Sequence, residues 1–262
     1  DDAEVAGAYA RLLVTRGRYA EARTIALSPR APLAGLRAEA AGLAALYTGA
    51  LDDADRAFAA LELGATGSGI AQGRALSLRG MVAQQRGQLA IAGERYAEAA
   101  RLLAGAGELH AAATAHVNLG TVLAERGRAS DALPHLADAA RVFAEVGATT
   151  ELCAAELARA NALLATHDLD AARAAADRGY REALARAGDD PAARLAAWLA
   201  LVETGLDPGV PDATIEAALA TDDDRDRWVL ARARRARLRG ELVATEELLA
   251  VGTRAERGDR LD

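Results

Sequence analysis

Apolar residues along the chain fall into runs with helical spacing, and glycine interrupts them at regular intervals. Five segments repeat one arrangement: RLLVTRGRYAEA from Arg11, LAALYTGALDDA from Leu43, GMVAQQRGQLAIA from Gly80, GTVLAERGRASDA from Gly120 and ANALLATHDLDAA from Ala160. In each, an apolar run ends in a turn and a second run opens with Ala at a fixed offset. The turn residues Gly17, Gly49, Gly87, Gly127, His167, Gly205 and Gly240 follow one another at steps of 32, 38, 40, 40, 38 and 35 positions. That period holds two helices. A single hairpin of this size cannot bury its apolar face alone, so neighbouring hairpins have to stack into one continuous core.

Each recurring position has a steric reason. A Gly just past a helix end takes a positive φ angle at little cost and reverses the chain; His167, the one replacement, is among the side chains that tolerate that region. Gly or Ala seven residues before the turn (Ala10, Gly42, Gly80, Gly120, Ala160) lets the two helices of a hairpin approach closely. Ala five residues after it (Ala22, Ala54, Ala92, Ala132, Ala172) does the same from the second helix. The pattern predicts helices near 3–16, 18–27, 33–48, 51–63, 69–86, 89–104, 108–126, 129–146, 149–166, 169–187, 190–204, 212–220, 224–239 and 241–250. The intervening stretches, LGATGSG from Leu63 and GLDPGVPDA from Gly205 among them, are too short for domain linkers. One domain over 1–262 is therefore expected.

Composition agrees. Hydrophobic residues make up 52% of the chain but aromatics only 3%, so Ala and Leu supply the core, and both are strong helix formers. Pro29, Pro32, Pro208 and Pro211 fall in breaks, whereas Pro134 and Pro191 fit first turns. The net charge of −7 gives no general attraction to nucleic acid. The single cysteine, Cys153, excludes an internal disulfide framework, reads as a buried small residue and fits a reducing compartment. No apolar run nears the ~20 residues of a membrane span and no signal-like segment opens the chain, so a cytoplasmic protein without membrane partners is expected. Because the chain starts at Asp1 without Met, it is expected to be a piece of a longer protein.

Candidate chemistry is sparse, and the expectation is a chain without an active site, cofactor or bound metal. His110 and His116 lie six apart, on different helix faces, and His135 and His167 are isolated. Asp52, Asp53 and Asp55, like Asp222, Asp223 and Asp224, stand where helices begin, and Asp189 and Asp190 precede Pro191; acids at such positions stabilise exposed amides. GATGSG lacks the Lys and Ser/Thr of a phosphate-binding loop. The densest charge feature, RDRWVLARARRARLRG from Arg225, reads chiefly as a solvated helix. Its Arg232, Arg234, Arg235 and Arg237 form a candidate docking surface for an acidic partner or a flanking domain.

The stretch HVNLGTVLAERGRASDALPHLADAA from His116 resembles the tetratricopeptide repeat at Leu119, Gly120, Leu123, Gly127, Ala132, Leu136 and Ala139. The unit from Leu76 is similar at Gly80, Gly87, Ala92, Tyr96 and Ala99, and the unit from Ala38 at Gly42, Gly49, Ala54, Phe58 and Leu61. The step of about forty resembles the longer-helix variant found in bacterial multidomain signalling proteins. The resemblance implies an all-α fold, a right-handed α-solenoid of about seven stacked antiparallel hairpins, whose first helices line a concave face that binds a protein or peptide partner. Carried over residue by residue, that face comprises Arg74, Ser77, Met81 and Gln84; Thr114, Asn118, Thr121 and Glu125; and Leu157, Asn161 and Leu164. The two-Lys, two-Asn and Arg clamp such repeats use for a C-terminal carboxylate cannot be assembled. Two other readings follow from the resemblance: a sensing or inhibitory module of an enzyme chain whose protease, kinase or switch ATPase domain lies elsewhere, and a small-ligand sensor of a transcription activator.

Overall fold

The structure, a computed structural model, describes residues 2–28, 33–188, 190–203, 208–238 and 240. Thirteen helices and no strand occur among them. Contacts divide the chain into two compact units, Asp1–Asp131 and Ala132–Asp262.

The first unit pairs α1 (Asp2–Thr15) with α2 (Tyr19–Leu27), α3 (Gly35–Tyr47) with α4 (Leu51–Gly64) and α5 (Gly69–Gln85) with α6 (Leu89–Gly105), followed by α7 (Leu109–Glu125). α1, α3 and α5 each pack against their own second helix, and α3, α5 and α7 each pack against the hairpin before them. Hairpins close through a repeated device. In the α5–α6 turn Gly87, at φ +72°, donates from its N–H to the Gln84 carbonyl at 2.9 Å, and the Gln88 N–H reaches back to the Ala83 carbonyl at 2.9 Å. These two bonds cap carbonyls that the helix end leaves open.

Close approach within a hairpin depends on the absence of a side chain. Gly42 and Gly80 sit in the middle of α3 and α5, and the rings of Phe58 and Tyr96, both fully buried, lie directly over them. Between hairpins the core is mostly alanine: Ala41 and Ala44 of α3 pack with Ala10, Leu13, Ala22 and Ala26. The α4–α5 junction instead carries charge. Arg79 donates to Asp55 at 3.1 Å and to Glu62 at 2.6 Å, while Arg86 donates to Asp52 at 2.6 Å and to Asp55 at 3.4 Å. Burial alone would raise the Asp55 carboxyl, but hydrogen bonding and charge from Arg79, then the charge of Arg86, hold it below its ordinary range. The helix-start acids thus tie one hairpin to the next as well as serving their own helix.

The second unit contains most of α8 (Ala129–Val146), then α9 (Thr149–Ala165) with α10 (Leu169–Ala187), α11 (Pro191–Glu203) with the short α12 (Asp212–Ala218), and α13 (Asp222–Leu238). Leu133, Leu163, Ala172 and Ala175 join α8, α9 and α10. Its aromatic residues do the work that alanine does elsewhere: Trp198 and Trp228 share a cluster with Leu195, Leu199, Val202 and Ile215. Helix α13 opens with reciprocal capping, since the Asp224 N–H donates to the Thr221 hydroxyl at 3.0 Å and the Asp224 carboxylate accepts the Thr221 N–H at 2.9 Å.

Helix boundaries agree with the sequence expectation to within two residues throughout. The expected helix at 241–250, the turn at Gly205 and the residue Asp189 lie outside the described residues. His167 holds the left-handed turn at φ +62°, as its register position predicts.

Candidate functional site

In the first unit, α5 and α7 are consecutive first helices, and the residues picked from the sequence lie on faces that meet at two points. Near the helix starts the Arg74 guanidinium stands 3.5 Å from the Glu108 carboxylate, just ahead of α7. At the far ends Gln84 donates from Nε2 to Glu125 Oε1 at 3.2 Å, and its own carbonyl accepts the Tyr96 hydroxyl at 3.1 Å. Tyr96, Gln84 and Glu125 therefore form one chain of hydrogen bonds across three helices. Burial, and secondarily the charge of Glu125, pushes the Tyr96 phenol far above its ordinary pKa, so it stays a neutral donor.

The other positions between these two ties differ in what they offer. Ser77 and Asn118 are half-buried. Met81 packs partly into the Phe58 and Val82 cluster, leaving one edge outward. The Thr114 and Thr121 hydroxyls donate to the His110 and Val117 carbonyls, at 3.1 and 2.9 Å, so their oxygens keep acceptor capacity alone.

In the second unit the stripe on α9 is simpler. Leu157 is partly buried against Ala160, Ala176 and Tyr180, whereas Asn161 and Leu164 are exposed one turn apart.

Glu156, which the sequence reading missed, and Cys153, which it read as a buried small residue, shape this helix. Glu156 is only 7% exposed, and its side chain lies where a Cβ on Gly179 would approach within 2.3 Å. Burial raises its carboxyl pKa, against the opposing charge of Arg159 at 3.4 Å. Cys153, half-buried on the same helix, has its thiol pushed up to about 11 by burial and then by Glu156, so it is protonated at neutral pH. The signal for Glu156 was present: it holds the register position of Leu76 and His116, four residues before the small packing residue.

The arginine-rich helix is partly committed inside the fold. Arg235 grips Asp212 of α12 at 3.1 and 2.5 Å, Arg232 donates to Glu216 at 3.3 Å, and both guanidinium groups lie within 6 Å of the Trp228 ring centre. Arg234 and Arg237 are exposed. Among the described residues no group of three or more His, Cys, Asp and Glu gathers as metal ligands, and no helix is long and apolar enough to cross a membrane.

Stacked hairpins of this kind define the class: the fold is an all-α solenoid of helical repeats. The solved structure of RapI in its apo form is similar to it, with a TM-score of 0.68 at 14% identity over 98% of both chains. BtubC from P. vanneervenii is similar at a TM-score of 0.56 and 13% identity, covering 100% of this chain and 94% of that one. No protein-family model matches the chain, and no curated protein sequence does.

Proposed function

We propose that the chain is a non-catalytic interaction scaffold, a single tetratricopeptide-like array that binds a peptide or a partner helix on the faces of its first helices. The observation that carries this reading is the α5–α7 face. Gln84 and Glu125 are held there by a buried tyrosine, beside half-buried Ser77, Met81, Asn118 and Thr121. Polar groups fixed in place can hydrogen-bond a peptide backbone, and the Met edge offers an adaptable apolar contact. Pre-ordering of these side chains lowers the entropy lost when a ligand docks. The bacterial regulatory setting rests on the sequence resemblance, and the cytoplasmic location on the single cysteine, which suits a reducing compartment. Exposed Arg234 and Arg237 would serve a flanking domain or an acidic partner, with Arg232 and Arg235 as the internal anchors of that surface.

A random peptide library displayed on phage tests the reading. Peptides enriched on the wild-type chain should bind at least about tenfold more weakly to the triple variant Arg74→Ala, Asn118→Ala, Asn161→Ala, a loss of about 1.4 kcal/mol. Helicity and melting should be unchanged. Enriched peptides that bind both proteins equally would remove these faces from consideration.

A further inference from the structure

The outer side of α1 points to a second interaction surface, independent of the α5–α7 face. Measured from the small packing residue, the positions five before, one before and two after it are those with which a first helix meets the hairpin preceding it. In α3 they are Arg37, Ala41 and Ala44, all buried, and in α7 they are Ala115, Leu119 and Val122, all buried. In α5 they are Ala75 and Val82, both fully buried, and Arg79, which holds the ion pairs to α4. The same positions in α1, counted from Ala10, are Val5, Tyr9 and Leu12, and these are 69%, 48% and 45% exposed. Three large apolar side chains at spacings of four and three make one continuous stripe. Apolar residues thus stand in α1 at the positions that later first helices bury, and none of the described residues of the first unit covers them.

The charges at its two ends indicate what would cover it. Asp2 continues the stripe at the amino end and Arg16 at the carboxyl end, both exposed. Spacings of three, four, three and four therefore run from Asp2 through Val5, Tyr9 and Leu12 to Arg16. A copy of the helix laid antiparallel about a two-fold axis near Tyr9 puts each Asp2 beside the other copy's Arg16 and stacks apolar on apolar between them. A parallel copy would set acid on acid and base on base. We propose that α1 is a self-association surface through which two copies of this chain pair, isologously and antiparallel. The contact is one helix wide and about 21 Å long, below the ~1,200 Å² that stable complexes bury, so the dimer is weak, with a dissociation constant on the order of 100 µM.

Sedimentation equilibrium of the 262-residue chain from about 10 µM to about 1 mM reads this directly. The expected result is a reversible monomer–dimer equilibrium. Tyr9→Glu, which places two carboxylates at the two-fold axis, should leave the protein monomeric throughout, with an unchanged circular dichroism spectrum and melt because Tyr9 is exposed. Asp2→Arg and Arg16→Asp should each weaken the dimer by about three- to tenfold, and the double exchange should restore it. A chain that stays monomeric at every concentration overturns the proposal and leaves the stripe to a different helix, such as that of another protein. A dimer that survives Tyr9→Glu places self-association elsewhere, and failure of the double exchange to restore pairing rules out the antiparallel arrangement.

Discussion

Replacing Gly42 with alanine tests the packing on which the stacked hairpins depend. A Cβ at this position would stand 2.3 Å from Cε1, 2.5 Å from Cδ1 and 2.8 Å from Cζ of Phe58. Ordinary carbon contacts lie near 3.5–4.0 Å, so the ring has to retreat by roughly 1 Å or the helices have to part. Phe58 is 0% exposed, so its ring can retreat only against other packed side chains and not into solvent. Overpacking of this kind costs ~1–3 kcal/mol, and three violated ring contacts place it at the upper end. Alanine in mid-helix returns about 1 kcal/mol of propensity, which leaves a net loss of about 2 kcal/mol.

Gly105→Ala supplies the control, because a Cβ there meets nothing within 4 Å; it should stabilise by about 0.5 kcal/mol. Urea denaturation followed by circular dichroism measures both. Phe58→Leu completes a double-mutant cycle, and in that background the penalty of Gly42→Ala should fall by at least about 1 kcal/mol. If Gly42→Ala stabilises as Gly105→Ala does, or costs the same with and without the Phe58 ring, the close-approach argument fails.

The limits of the sequence reading follow from the same geometry. Turn and packing glycines are visible in the chain because sterics leave few substitutes, and Gly42 under Phe58 and Gly80 under Tyr96 sit at the predicted register. A second set of marks went unread: Gly67, Gly107 and Gly147 stand forty residues apart at positive φ in the links between hairpins, and Gly107 and Gly147 close theirs with the same pair of bonds as Gly87. The wiring of charged side chains was illegible for a different reason. Asp52 and Asp55 look like helix-start acids whether or not an arginine stands opposite, and the partner depends on how neighbouring hairpins are set. Arg37 shows the extreme case. It is 4% exposed, and its Nε donates to the Ala26 carbonyl at 2.8 Å, capping the end of α2 from the following hairpin. On the proposed binding faces, the family resemblance placed Gln84 and Glu125 on neighbouring stripes, but only their three-dimensional placement joins them through Tyr96.

Two further predictions use single residues as probes. His167→Gly should raise stability by about 0.5–1 kcal/mol in urea, since a left-handed conformation costs most side chains that much and glycine little; His167→Val should lower it by about 1 kcal/mol, and a neutral pair of results would refute the strained turn. Glu156→Gln probes buried charge. Because burial raises the folded carboxyl above its unfolded value of about 4.3, the stability this group contributes is complete below that pH and is lost as pH rises through the folded value. The glutamine cannot ionise and escapes that loss, so the variant should be more stable than wild type at pH 8, with the difference closing toward pH 4. A variant less stable at pH 8 would show instead that the Arg159 contact outweighs desolvation, and a gain independent of pH would mean that the carboxylate charge is not its source.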